Sequence, residues 1–333
     1  MPRLPRPRRS GGAADGNGAR ASDLDAGRQP GAVAFWVEAL RFVWSVLKQS
    51  SAVAIYDFVG SRNYYTRDSL YVNLGYWKHA STLDEASQDL AGLLAEAAGL
   101  GPGATVLDCG FGFADQDLYW HRRFSPARIV GINVTPQQVA TGRARVDAAG
   151  LGSRIDLLLG SATAMPFGDG VFDRVMALEC AFHFRTRQTF FAEARRVLQP
   201  GGRLAVADII LGGTRRDDLK SRLIDRLHRR LWHIPDANMY PRQTYARKLA
   251  EAGFTDVRVG SIAADVFAPY LAYCERFAGT APERGRLNPL LRVGPRTMRR
   301  LGWFDQYDYV IATAQKPPSR AAPARRRAVT ADT

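Results

Sequence analysis

Short apolar runs that end in a small or polar residue recur along the middle of this chain. The runs are rich in Val, Ile and Leu, which favour β-strands, and the stretches between them are long enough for a helix. Five of these runs lie at Ala104–Asp108, Arg128–Asn133, Ile155–Leu159, Arg174–Leu178 and Arg203–Asp208, and two later strands are expected near Phe254–Val257 and at Tyr307–Ala312. The pattern predicts a doubly wound α/β fold with a mostly parallel, seven-stranded sheet.

A glycine-rich bend follows the first of these strands. Asp108 ends the strand, and Gly110 and Gly112 come shortly after it. Because glycine has no Cβ, the backbone N–H groups of such a bend can approach a bound ligand closely. An acidic strand end followed by Gly-x-Gly is typical of nucleotide-like cofactor sites at the switch point of a doubly wound sheet. For this short motif alone, a structural turn without a ligand is the alternative.

The next two strands also end in small or polar residues at the same predicted edge of the sheet. Asn133 ends the second strand, about twenty residues after the bend, where ribose-binding side chains lie in such folds. Ser161 and Ala162 follow the third strand. The order of strand, bend and two polar strand ends favours a bound cofactor over a simple turn.

Five segments together resemble the class I S-adenosylmethionine-dependent methyltransferases. The similarity is strongest to the small-molecule group that includes the tocopherol, sarcosine/dimethylglycine and sugar O-methyltransferases. The segments run in the family's order within residues 60–314 and are Val106–Gly112, Gly131–Gln138, Gly160–Phe167, Phe172–Val175 and Arg196–Leu204. The resemblance implies a Rossmann-like methyltransferase fold and S-adenosylmethionine as the cofactor.

The resemblance also implies which residues bind that cofactor. They lie at the ends of the first four strands and are Asp108, Gly110, Gly112, Asn133, Ser161, Ala162 and Glu179. Three positions depart from the family pattern: Ala114 replaces the third glycine of the bend, and Asn133 and Ser161 replace acidic residues. A neutral partner for a ribose hydroxyl should weaken that contact by about 1 kcal/mol.

Two further residues are predicted to carry the chemistry. His183 follows the fourth strand and Asp208 ends the fifth, so adjacent parallel strands should bring them to one edge of the sheet. In the resembling sugar O-methyltransferases, a histidine after strand four acts as the general base and an aspartate at the end of strand five orients it. A buried core histidine and a strand-end cap are the alternatives for these two residues.

Four regions are predicted along the chain. They are a disordered basic tail at 1–31, an N-terminal helical cap at 32–81, the methyltransferase domain at 82–314 and a second disordered basic tail at 315–333. Insertions at about 212–240 and 264–306 are expected on the substrate face of the domain. The resemblance implies that the segment with Tyr76 and Trp77 closes over the active site, and packing of these two rings in the core is the alternative.

The N-terminal cap begins with bulky apolar residues at near-helical spacing. Glu38, Arg41 and Lys48 interrupt this apolar run well short of the ~20 residues that a membrane span needs. We interpret residues 32–59 as amphipathic helices that pack on the domain, with peripheral contact at a membrane surface as the alternative. We expect no export and a cytoplasmic location.

The net charge of +14 suggests a nucleic-acid partner, but the distribution of charge argues against one. Residues 1–31 hold six Arg and three Asp, and residues 315–333 hold five Lys or Arg and one Asp, so half of the net charge lies in the tails. The Asn/Asp-Pro-Pro-Tyr pattern of base methyltransferases is absent after the fourth strand. No specific nucleic acid is expected, and the three cysteines have no metal-ligand spacing.

These observations predict an S-adenosylmethionine-dependent methyltransferase of a small-molecule or lipid-like acceptor. Oxygen is the favoured acceptor atom, because His183 can remove the proton of a hydroxyl group. Transfer to carbon or nitrogen, or cyclopropane formation on a lipid, is the alternative within this class. A cofactor-binding scaffold without turnover is the alternative from another class.

Overall fold

The computed structural model describes residues 65–212, 218–280, 287 and 289–319. The predicted tail at 1–31, residues 32–64 of the predicted cap and residues 320–333 of the second tail lie outside these ranges. The predicted amphipathic segment at 32–59 is therefore not described.

Seven strands form a single sheet. They are β1 (Thr105–Cys109), β2 (Arg128–Asn133), β3 (Ile155–Leu159), β4 (Phe172–Leu178), β5 (Leu198–Leu211), β6 (Thr255–Ser261) and β7 (Tyr307–Gln315). Their order in the sheet is β3-β2-β1-β4-β5-β7-β6. The first five strands pair in parallel, and β7 is antiparallel to both β5 and β6. The predicted doubly wound α/β fold is confirmed, and its switch point lies between β1 and β4.

Eight helices accompany the sheet in the described part of the chain. They are α1 (Leu83–Ala98), α2 (Asp115–Phe124), α3 (Pro136–Ala148), α4 (Arg187–Val197), α5 (Leu219–Leu231), α6 (Arg242–Glu251), α7 (Phe267–Gly279) and α8 (Pro289–Leu301). Local signals account for the ends of α1, because Thr82 and Glu85 form a capping box and Gly99 ends the helix with a φ of 62°. Helix α5 lies in the first predicted insertion, and α7 and α8 lie in the second.

The core forms two layers, one on each face of the sheet. Ala205, Ala207 and Ile209 of β5 belong to the layer that contains residues of α1, α2 and α3. Leu204, Val206 and Ile210 of β5 belong to the layer that contains residues of α4 and α6. Because side chains alternate along a strand, Asp208 has the phase of the second layer. This phase decides which partners Asp208 can reach.

Residues 65–81, the described part of the predicted helical cap, form an irregular segment that lies against the domain. The backbone N–H of Tyr76 donates to the Ala86 carbonyl at 2.8 Å, and that of Trp77 donates to the Asp265 carbonyl at 2.8 Å. The Trp77 ring lies 4.9 Å from the Tyr273 ring of α7. The segment is therefore tied to both α1 and the second insertion.

Candidate active site

The bend after β1 has the backbone geometry that its glycines predict. Gly110 and Gly112 have φ angles of +83° and +57°, in the left-handed region that favours glycine. A Cβ built on Gly110 would lie 2.7 Å from the Cys180 sulfur, whereas no atom lies within 4 Å of a Cβ built on Gly112. Gly110 is thus enclosed by protein, and Gly112 faces open space that a ligand can occupy.

Because Gly110 and Gly112 have different surroundings, replacing each by alanine should affect stability and cofactor binding differently. Gly110→Ala should lower the melting temperature strongly, because the new methyl group overlaps Cys180. Gly112→Ala should cost only about 1–2 kcal/mol of backbone strain, yet it should weaken S-adenosylhomocysteine binding because its methyl group enters the ligand space. Thermal unfolding and calorimetric titration of both variants test this. Equal cofactor affinity in wild type and Gly112→Ala would show that the ligand does not approach this bend.

Two buried carboxyl groups lie beneath the bend. Asp108, the residue before the last of β1, accepts a hydrogen bond from Gln116 Nε2 at 3.0 Å, and Asp117 follows Gln116 in α2. Burial raises the pKa of Asp108 to about 7, and burial together with the neighbouring Asp108 raises the pKa of Asp117 well above its ordinary value. Two adjacent carboxyl groups that are buried can be neutral only if both carry a proton. A cationic ligand group that binds beside them can therefore displace a proton from the pair. The sequence analysis did not single out Asp117.

Asn133 lies beside the bend. Its Nδ2 donates to the Gln138 Oε1 at 2.9 Å and reaches the Gly112 carbonyl at 3.5 Å. The Gly110 backbone N–H donates to the carbonyl of Ile132, the preceding residue of β2, at 2.8 Å. The structure therefore brings Asp108, Gly110, Gly112 and Asn133 into one cluster at the carboxyl edge.

Ser161 and Ala162 lie one strand further out, after β3. The Ser161 hydroxyl lies 2.9 Å from that of Thr163 and accepts from the Thr163 backbone N–H at 3.2 Å. Ala162 is buried in the core layer that contains α4 and α6. Both residues are placed at the same edge of the sheet as Asn133, because Asn133 pairs with Leu159 in the register of β2 and β3.

Glu179 ties the N-terminal segment to the sheet. Its Oε2 accepts from the Leu74 backbone N–H at 3.0 Å and from the Tyr309 hydroxyl at 2.7 Å. Burial raises the pKa of Glu179 to about 8, and the two hydrogen bonds oppose that increase. Glu179 is predicted to bind the cofactor, and in the structure it also fixes the backbone before Tyr76 and Trp77. Tyr309, 130 residues away, was not singled out in the sequence.

His183 ends a short 3₁₀ turn (Ala181–His183) that directly follows β4. Burial lowers the pKa of His183 to about 3, and the neighbouring His233 and Arg187 act in the same direction. Hydrogen bonds with the backbone of Trp232 and His233 oppose this shift. The imidazole is therefore neutral near pH 7, which is the form that can accept a proton.

Asp208 does not meet His183, which corrects the predicted contact between these two residues. The Asp208 Oδ2 accepts from Arg187 Nε at 2.7 Å and from the Tyr245 hydroxyl at 3.1 Å. Its Oδ1 accepts from the Ile209 backbone N–H at 3.0 Å. The physical reason is the phase of β5, which points Asp208 into the layer of α4 and α6.

The Asp208–Arg187 ion pair nevertheless supports the loop that carries His183. Arg187 also donates to the Ile209 carbonyl at 2.7 Å and to the Asn238 carbonyl. Asn238 in turn donates to the carbonyls of Phe182 and Phe184 at 3.0 and 2.8 Å. The two residues that flank His183 are thus held by a side chain that no sequence motif indicated.

The described part of the chain contains neither a membrane-spanning helix nor a cluster of metal ligands. No helix there is both long and apolar enough to cross a membrane. In residues 65–212, 218–280, 287 and 289–319, no group of three or more His, Cys, Asp or Glu residues is arranged to hold a metal ion.

Comparison with known proteins shows relatives of this chain in sequence and in fold. A family model described as a methyltransferase domain matches residues 107–206. The chain is 39% identical over 285 residues to erythromycin 3''-O-methyltransferase of Saccharopolyspora erythraea, which covers 83% of this chain and 93% of the relative. Among solved structures, the [4+2]-cyclase SpnF has a TM-score of 0.60 at 20% identity and covers 84% of this chain and 96% of its own. Geranyl diphosphate methyltransferase in complex with SAM has a TM-score of 0.55 at 19% identity and covers 71% of this chain and 87% of its own.

Proposed function

This chain belongs to the class I S-adenosylmethionine-dependent methyltransferases of small molecules, and we propose that it methylates a sugar hydroxyl of a glycosylated macrolide. The observation that carries this proposal is the 39% identity to a macrolide O-methyltransferase across 93% of that relative. The presence of a neutral imidazole after β4 supports oxygen as the acceptor atom, because a hydroxyl group must lose its proton when it is methylated.

The residues around the bend fit S-adenosylmethionine. Gly112 leaves open space beside the backbone, and among the described residues no basic side chain is hydrogen-bonded to the buried Asp108–Asp117 pair. Arg145, on which the charge of Asp117 acts, is held by Asp115 in two hydrogen bonds of 2.6 and 2.7 Å. We assign Asp108 to the amino group of the cofactor, and Asn133, Ser161 and Ala162 to its ribose and adenine side.

Catalysis in this proposal rests on alignment and proton removal. The cofactor supplies an electrophilic methyl group on a sulfonium. The protein holds donor and acceptor in line, which can supply most of the rate acceleration. His183 takes the proton of the acceptor hydroxyl as the new O–CH₃ bond forms. Asp208 is a positioning residue, because it reaches the His183 loop only through Arg187 and Asn238.

The acid pair makes cofactor binding depend on pH. The ionised form of Asp108 favours a cationic amino group, and its pKa of about 7 means that this form is depleted below pH 7. Affinity for S-adenosylhomocysteine should therefore rise about 10-fold from pH 6 to pH 8. Binding at pH 7 should also release protons, which calorimetry detects as an apparent enthalpy that differs between phosphate and Tris buffers.

A conservative variant tests the origin of this dependence. Asp108→Asn keeps the shape of the side chain and removes the carboxyl group that titrates, so the affinity at pH 8 should fall and the pH dependence should become flatter. Asp169→Asn, at an exposed loop position, serves as the control. An affinity that is constant from pH 6 to pH 8, with no buffer dependence, would contradict the assignment of Asp108.

A turnover assay tests the proposed function itself. Purified protein, labelled S-adenosylmethionine and a set of glycosylated macrolides with free sugar hydroxyls should yield a labelled O-methyl product. Sterols and geranyl diphosphate serve as acceptors that would indicate carbon methylation. Cofactor binding without any turnover across these acceptors would instead indicate a scaffold.

A further inference from the structure

The outer face of α5 carries a row of exposed leucines. Leu219, Leu223 and Leu227 are 84%, 66% and 46% exposed. They are four residues apart, so they lie on one side of the helix, one above the other. Large apolar side chains that are exposed in a contiguous row indicate an interaction surface more often than isolated ones do.

A parallel row of exposed arginines lies next to these leucines. Arg222, Arg226 and Arg230 are exposed and follow the leucines at a spacing of three residues. The single acidic residue within the helix, Asp225, is buried, where it accepts from the Tyr307 hydroxyl at 2.8 Å and pairs with Arg229. Apart from Asp218, the exposed N-cap residue at the start of the helix, the described outer face combines apolar and cationic side chains.

We propose that this Leu/Arg face of α5 docks on the surface of an anionic lipid bilayer. An amphipathic helix with leucines and arginines on the exposed side matches the acyl boundary and the anionic head groups of such a surface. A second copy of the chain is a poorer partner, because a two-fold contact would bring two rows of arginines together. The contact is peripheral, since the helix has 13 residues and is too short to span a bilayer.

The inner face of the same helix connects the docking surface to the sheet. The His228 ring lies 4.3 Å from the Tyr307 ring, and Tyr307 pairs with Leu211 at the carboxyl end of β5. Docking through α5 would therefore place the lipid surface close to the carboxyl end of β5.

Sedimentation with vesicles tests this inference on the full chain. Wild-type protein should bind vesicles that contain phosphatidylglycerol and should bind pure phosphatidylcholine vesicles more weakly. Replacing all three leucines (Leu219→Gln, Leu223→Gln, Leu227→Gln) should weaken binding to both vesicle types about 10-fold or more. Replacing the three arginines by Gln should remove the preference for phosphatidylglycerol and the sensitivity to salt.

Matched control variants show whether vesicle binding depends on α5 or on exposed leucines and arginines elsewhere in the protein. Leu159→Gln and Arg247→Gln change an exposed leucine and an exposed arginine on other elements and should leave vesicle binding unchanged. All variants should retain the wild-type affinity for S-adenosylhomocysteine, which shows that they are folded. Vesicle binding that is equal in wild type and the leucine variant would overturn the inference and point to the basic tails instead. A leucine variant that changes a dimer into a monomer, without vesicle binding by wild type, would show that a second copy covers this face.

Discussion

His183→Ala should lower kcat about 100-fold and leave the affinity for S-adenosylhomocysteine within about twofold of wild type. General base catalysis contributes about 10²–10⁴-fold, and we expect the lower end because burial lowers the pKa of this imidazole to about 3 and so weakens it as a base. Arg187, whose charge also lowers the pKa of His183, further limits its strength as a base. Steady-state kinetics with a saturating hydroxyl acceptor measures kcat, and calorimetric titration measures the affinity for S-adenosylhomocysteine.

The control for this experiment is an exposed histidine outside the loop that follows β4. His79 is exposed in the N-terminal segment, and His79→Ala should retain full activity. A His183→Ala enzyme with a kcat within about threefold of wild type would exclude the imidazole as the base. It would then favour an acceptor atom that needs no proton removal, such as carbon.

Asp208→Ala should destabilise the fold by about 3–5 kcal/mol, because it leaves the Arg187 charge buried without its partner. Both side chains are almost completely inaccessible to solvent, and their N–O distance is 2.7 Å. Arg187 also lies 5.1 and 5.4 Å from the ring centres of Tyr240 and Tyr245, so it has no route to water. Urea unfolding of the wild type and the variant measures the difference in the free energy of unfolding.

Two comparisons show whether the loss arises from the buried charge. The double variant Arg187→Met, Asp208→Leu removes both charges and should recover much of the lost stability. Asp156→Asn disrupts an exposed ion pair with Arg128 and should cost less than about 1 kcal/mol. If Asp208→Ala is as stable as wild type and only its kcat is reduced, the structural role of Asp208 is contradicted. That result would favour the contact with His183 that the sequence predicts.

The fold was predictable because its signals are local. Each inner strand is a short apolar run, and the glycine bend requires left-handed backbone angles that Gly110 and Gly112 adopt. The position of Asn133 beside the bend follows from the same reasoning, since parallel strands place their carboxyl ends at one edge. These features depend on neighbouring residues and on the common direction of the strands.

The partners of the site residues depend on contacts between distant parts of the chain. Glu179 bonds to Leu74 and Tyr309, and no spacing rule relates these three positions. The direction of the Asp208 side chain, by contrast, follows from a local rule. Side chains alternate along β5, which places Asp208 on the same face as Val206 and Ile210. That alternation already indicates, from the sequence, that Asp208 and His183 do not meet. The sequence contains no comparable signal that Arg187 is the partner of Asp208.

The most direct test of the account is the location of the transferred methyl group. The full-length protein is incubated with S-adenosylmethionine that carries ¹³C in its methyl group and with a glycosylated macrolide that has free sugar hydroxyls, and the product is examined by NMR. We predict a labelled methyl group on a sugar oxygen. A label on carbon or nitrogen, or no transfer by protein that binds S-adenosylhomocysteine, would contradict the proposed reaction.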